Sequence, residues 1–65
     1  MELKGKIVEM IDDSSGYIKS MNDYYYFDRS DLIENFKLRE NIDVVFKPII
    51  INGIKKAILI EQINV

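Results

Sequence analysis

The stretch Ile42-Asp43-Val44-Val45-Phe46-Lys47-Pro48-Ile49-Ile50-Ile51-Asn52-Gly53-Ile54-Lys55-Lys56-Ala57-Ile58-Leu59-Ile60-Glu61-Gln62-Ile63 decides the fold class. Its flanks are dense in β-branched residues, whose stiff side chains suit a pleated surface. Asn52-Gly53 between them is the strongest short-range hairpin signal, because a type I′ turn needs positive φ at both central positions. The reading is a strand over Ile42 to Ile51, a two-residue turn, and a strand over Ile54 to Ile63. Pro48 has no N–H to give a ladder, so it calls for an edge position or a bulge.

Working back toward the N-terminus, three further strand-like runs are separated by turn signals. The first is Leu3 to Ile11, ended by Asp12-Asp13-Ser14-Ser15, whose short polar side chains bond their own backbone. The second is Gly16 to Met21, closed by Asn22-Asp23, and the third is Tyr24 to Asp28. Ser30-Asp31-Leu32-Ile33 reads as a helical turn capped by Ser30, and Glu34 to Asn41 as irregular chain. A long helix over Ile33 to Phe46 is the competing reading; Asn35, Asn41 and Asp43 disfavour it. Short strands at close intervals predict an all-β protein, a small barrel or sandwich of five strands, as one domain over residues 1–65.

Composition bounds the function. The chain has 65 residues, nine Lys plus Arg against eleven Asp plus Glu, and no Cys, His or Trp. A chain of this size buries only about 60% of the surface its unfolded form exposes, and no disulfide or zinc cluster can supplement the core. The same absences remove Cys/His and Ser/His/Asp catalysis, so an enzyme is not expected. Apolar residues at 48% place the chain well outside the disordered regime. The net charge of −2 argues against a whole-molecule basic footprint, though not against a local basic patch. The longest apolar run, Ile49-Ile50-Ile51, is far too short for a membrane span. With no signal peptide read ahead of it, a cytoplasmic location is the default expectation.

Strand alternation sorts side chains to two faces. Ile7, Ile18, Tyr25, Phe27, Val44 and Phe46 point inward with Leu32. Lys6, Val8, Ser15, Tyr17, Lys19, Tyr24, Tyr26 and Asp28 point outward; the opposite parity in the third strand would bury the Asp28 carboxylate. Glu9 then implies a bulge or a curled strand near Met10. The outcome is a surface on which Lys6, Tyr17, Lys19, Tyr26 and Arg29 gather, and rings interleaved with cations suit unpaired nucleic acid. Tyr24 is a weaker candidate on that face. Asp12-Asp13 and Asp28-Asp31 lack the ligand spacing of a hard-cation loop, so no metal or other cofactor is expected. Lys55-Lys56 reads as charge protecting a sheet edge.

In order and spacing these segments resemble a cold shock domain. Leu3-Lys4-Gly5-Lys6-Ile7-Val8 resembles the family's opening Gly-Lys-Val-Lys strand. Ser14-Ser15-Gly16-Tyr17-Ile18 resembles its first RNA-binding motif, and Tyr26-Phe27-Asp28-Arg29-Ser30-Asp31-Leu32 the second motif with the turn that follows. Phe36-Lys37 with Val44-Val45-Phe46 resembles the long loop and fourth strand, and Gly53 through Ile60 the closing hairpin. The resemblance implies a five-stranded antiparallel Greek-key barrel of the oligonucleotide-binding type. It implies single-stranded RNA or DNA as partner, bound at Lys6, Tyr17, Tyr26, Arg29 and Phe36, to which the strand alternation adds Lys19, with a role as RNA chaperone or expression regulator. Phe36 is read equally as a plug over the barrel's end. A monomer is expected, with a homodimer as the alternative.

Several positions depart from the family pattern. Val8 and Glu9 stand where it has Lys and Trp, Ser14 and Ser15 where it has Gly and Phe, and Asp28 where it has a stacking His. These departures open a second reading, in which the barrel has lost nucleic-acid binding and contacts protein.

Overall fold

A computed structural model of the chain describes residues 1–63; the final two positions of the expected domain lie outside the described residues. It contains five strands, β1 (Leu3–Met10), β2 (Ser15–Ser20), β3 (Asp23–Asp28), β4 (Asp43–Ile51) and β5 (Ile54–Gln62), and a 3-10 turn over Arg29–Asp31. The strands close into a barrel in the order β1-β2-β3-β5-β4, the Greek-key order of an oligonucleotide-binding barrel. All neighbouring pairs are antiparallel except β3 and β5, which meet in parallel register at Tyr26 and Lys56. Beyond β3 the chain still lines β5, through a Leu32–Ile60 bridge and an Ile33 N–H donated to the Ile60 carbonyl at 3.1 Å. The competing long helix does not form.

The hairpin is built as its turn residues require: Asn52 and Gly53 both have positive φ, 51° and 79°. Pro48 pairs with Ala57 on its β5 side. On its other side β1 has already ended, its last partner being Phe46 opposite Leu3. Pro48 therefore occupies an open edge, where a missing N–H leaves no ladder bond unmade.

Two bulges shape the barrel. Between the pairs Ile7–Ile18 and Glu9–Tyr17, β1 carries one extra residue, Val8. That insertion keeps Ile7 buried and returns Glu9 to the outer face. Between Lys47–Ile58 and Val45–Glu61, β5 places Leu59 and Ile60 against Phe46 alone, with Leu59 in the left-handed region at φ 52°. One extra residue with the first in that conformation is the arrangement that glycine ordinarily fills.

The core comprises Ile7, Ile18, Tyr25, Phe27, Ile42, Val44, Phe46, Ala57 and Ile60, with Leu3, Met10, Leu32, Phe36 and Leu38 packed around it. The inward set read from alternation is therefore present, with Leu32 only half-buried. Ile42, just ahead of β4, and Ala57 and Ile60 of β5 join it. Tyr25 and Phe46 meet with ring centroids 5.1 Å apart.

Three expectations are corrected. Ser15 is not exposed but buried at 7%, because the turn before it folds back: its carbonyl accepts the Ile11 N–H, and its hydroxyl donates to Asp12 Oδ1 at 3.0 Å. The helical turn is capped by Asp28 rather than Ser30, in a reciprocal box where Asp28 accepts the Ser30 N–H and Asp31 accepts the Asp28 N–H. Lys55 and Lys56 do not guard an edge. Each forms an ion pair across the barrel's parallel seam, Lys55 with Asp23 at 2.7 Å and Lys56 with Asp31 at 2.8 Å.

Candidate nucleic-acid interface

Side chains of directly opposed residues share a face, so register alone lays out the outer surface. One row crosses the barrel as Asp43, Lys6, Lys19 and Tyr24, from β4 through β1 and β2 to β3. The next row is Glu9, Tyr17, Tyr26 and Lys56, ending on β5. Two steps back along the parallel seam, Tyr24 comes level with Ile54, and both line one depression.

The tyrosines form the centre of this surface. Tyr17 and Tyr26 meet edge to face, centroids 5.9 Å apart and planes at 66°, a favoured aromatic geometry. Tyr24 is exposed, and the Lys19 ammonium lies 5.6 Å from its ring centroid, within cation–π range. Tyr17, Tyr24 and Tyr26, with Gly53 of the hairpin turn and Ile54 and Lys55 at the start of β5, surround an open cleft of about 480 Å³. Among the described residues Lys19 has no carboxylate partner, whereas Lys6 lies 3.6 Å from Asp43 Oδ1.

The structure brings four of the six sequence-selected residues together: Lys6, Tyr17, Lys19 and Tyr26. Arg29 and Phe36 are elsewhere, lining a second hollow with Asn35 and Lys37. The Arg29 guanidinium donates to the Asp13 carbonyl at 3.0 Å, which ties the 3-10 turn to the loop between β1 and β2. Phe36 is half-buried against the core, as a plug over the barrel's end would be. What the sequence did not reveal is the hairpin turn's share in the tyrosine surface. Ile54 and Lys55 reach it only because β5 pairs in parallel with β3, and no local pattern encodes that pairing.

Charge at the site is mixed. Glu9 stands opposite Tyr17 in register and so shares its face. Asp28 is on the same face but its carboxylate is occupied: Ser30 donates to it from both hydroxyl and N–H. The hydroxyl bond foremost holds Asp28 below the usual carboxylate range, against the desolvation that raises it. Asp12 is likewise lowered, first by the Ser14 N–H at 2.8 Å and then by the Ser15 hydroxyl. These carboxylates serve turns, and among the described residues no three acidic groups converge as a cation site. Lys56 is raised above its ordinary value, chiefly by its hydrogen bonds to both oxygens of Asp31 at 2.8 and 3.0 Å. Among the described residues no helix is long and apolar enough to cross a membrane.

Compared with known proteins, the chain matches no family model, no curated protein and no solved structure.

Proposed function

We propose that this barrel binds single-stranded RNA or DNA in the manner of a cold shock domain, with modest affinity and little sequence preference. The observation that carries the reading is the Tyr17–Tyr26 pair, set on the outer face of a closed barrel beside Lys6 and Lys19. Bases stack on the two rings, each contributing about 1–3 kcal/mol by alanine substitution, while the two ammonium groups meet phosphates. Arg29, although away from the rings, lies in a hollow along which a longer strand would run. A cytoplasmic RNA chaperone or expression regulator, acting as a monomer, is the corresponding biological role.

The test is the double variant Tyr17→Ala/Tyr26→Ala, titrated against a labelled U-rich or T-rich strand. Both residues lie on the outer face, so the variant stays folded by circular dichroism and loses binding. Affinity equal to the parent protein would contradict the stacking mechanism.

A second reading, a barrel that contacts protein, is favoured by Glu9 beside Tyr17 and by the Lys6–Asp43 pair, which between them temper the positive field. Salt separates the two. Two or three phosphate contacts on a single strand give a log–log slope of roughly −1.4 to −2.1, whereas docking through apolar contacts is nearly flat.

A further inference from the structure

We propose that Asn52 is a site of spontaneous covalent modification, deamidating through a succinimide formed with Gly53 at a rate set by local opening of the β4–β5 turn. The modification is independent of what the tyrosine face binds. It needs a backbone nitrogen that can reach the side-chain carbonyl carbon of Asn52. Gly53 supplies one without hindrance: it lacks a Cβ, and the space where one would stand holds nothing within 4 Å. Both residues are exposed. The Gly53 nitrogen loses its proton to hydroxide and bonds to Asn52 Cγ; the bond from Cγ to the side-chain nitrogen breaks, and ammonia leaves with a proton from water. Water then opens the ring. Breaking the bond from nitrogen to Cγ yields aspartate. Breaking the bond to the main-chain carbonyl yields isoaspartate, whose chain runs through the side chain and is one methylene longer. Either product adds a carboxylate to a chain of net charge −2, and nothing is oxidised or reduced.

The other described asparagines lack this arrangement. Asn22, Asn35 and Asn41 precede Asp23, Phe36 and Ile42, whose side chains crowd the attacking nitrogen. Asn41 shares the left-handed backbone, at φ 73°, but Ile42 is 5% exposed and its place in the core fixes the amide. Ring closure also requires Asn52 to leave the left-handed conformation, φ 51°, in which the turn holds it. That is where the fold decides the rate. β1 ends opposite Phe46, so the hairpin beyond it has no third strand on its β4 edge. Ile50, Ile51 and Ile54 are exposed, and the Lys55–Asp23 ion pair stands one residue short of the closing pair Ile51–Ile54. Opening that single pair frees Asn52 while the barrel stays folded, and frayed ends open at little cost. The isoaspartyl form cannot restore the turn, because the added methylene lengthens a loop whose type I′ geometry is fixed at two residues. Ile54 and Lys55, which line the tyrosine cleft, shift with it.

The experiment incubates the full chain in mildly alkaline buffer, with and without unfolding urea. Deamidation is followed by peptide mass mapping, and isoaspartate by enzymatic methyl transfer from S-adenosylmethionine. The expected result is reaction at Asn52 ahead of every other asparagine, at a rate in native buffer within about 30-fold of that in urea. Suppression by about a thousandfold or more, the factor expected when reaction waits for global unfolding, overturns local opening. Reaction at another asparagine first overturns the site itself. Asn52→Asp separates charge from chain length, because Asp-Gly suits the same turn. That variant is expected to unfold at the urea midpoint of the parent, and the purified isoaspartyl form at a lower one. An isoaspartyl form as stable as the parent overturns the predicted loss of the turn.

Discussion

A Cβ at Gly16 would fall inside the van der Waals envelope of the Glu9 carbonyl oxygen and within 3.1 Å of the Met10 sulfur. Gly16 pairs with Met10 just past the β1 bulge, where the two strands approach closely. Gly16→Ala is expected to destabilise the barrel by about 1–3 kcal/mol, the usual range for overpacking, read as a lower midpoint in urea. Because the same bulge sets Glu9 beside Tyr17, this variant also displaces the tyrosine surface. Leu59 presents the opposite case. Its φ of 52° suits glycine, and its side chain is exposed, so Leu59→Gly should raise the denaturation midpoint or leave it unchanged. A large loss would mean that the Leu59 side chain contributes packing that outweighs its strained backbone.

Among the elements, the 3-10 turn and β5 are joined by one half-buried ion pair, Lys56 with Asp31. Asp31 also accepts the Asp28 N–H, so a single carboxylate holds both the cap and the seam. Asp31→Asn is expected to cost about 1–3 kcal/mol, the range for a hydrogen bond to a charged group together with a donor left unpaired. The pH dependence follows from the direction of each shift. Lys56 is raised in the folded state, so its contribution is complete below its unfolded value and disappears as pH climbs through the folded one. Asp28 and Asp12 are lowered, so theirs is present above the unfolded carboxylate value and is lost as pH falls through the folded values. Thermal melts across pH should therefore decline at both extremes, and Asp31→Asn should flatten the alkaline limb selectively.

For the molecule as a whole, what was legible in the sequence is what local chemistry encodes. Asn52-Gly53 and the alternation of Tyr25 and Phe27 with Tyr24 and Tyr26 are decided by residues within a few positions of each other, and the structure has them as read. A break in alternation near Met10, as a bulge or a curled strand, was legible too, because strict alternation puts Ile7 and Glu9 on one face; of the two, the structure has the bulge. What was not legible depends on distant pairing. The parallel meeting of Tyr26 with Lys56 turns Lys55 and Lys56 from edge charges into seam pairs and carries Ile54 to the tyrosine cleft. Likewise Arg29 is drawn from the rings by a carbonyl sixteen residues earlier in the chain. The radius of gyration, 10.4 Å, is that of a fully compacted chain of this length, about 10.7 Å. Function in so small a body resides on its faces, and the tyrosine face combines open rings with cations.

The most direct measurement of that claim is a titration of the folded chain with a short U-rich or T-rich strand, followed by intrinsic tyrosine emission at several salt concentrations. The chain has four tyrosines and no Trp, and three of the four line the cleft, so the signal originates largely at the proposed surface. Binding in the micromolar range, with quenched emission and a log–log salt slope of roughly −1.4 to −2.1, is the predicted result. Unchanged tyrosine emission and no association at low salt, from protein that melts cooperatively, would contradict it.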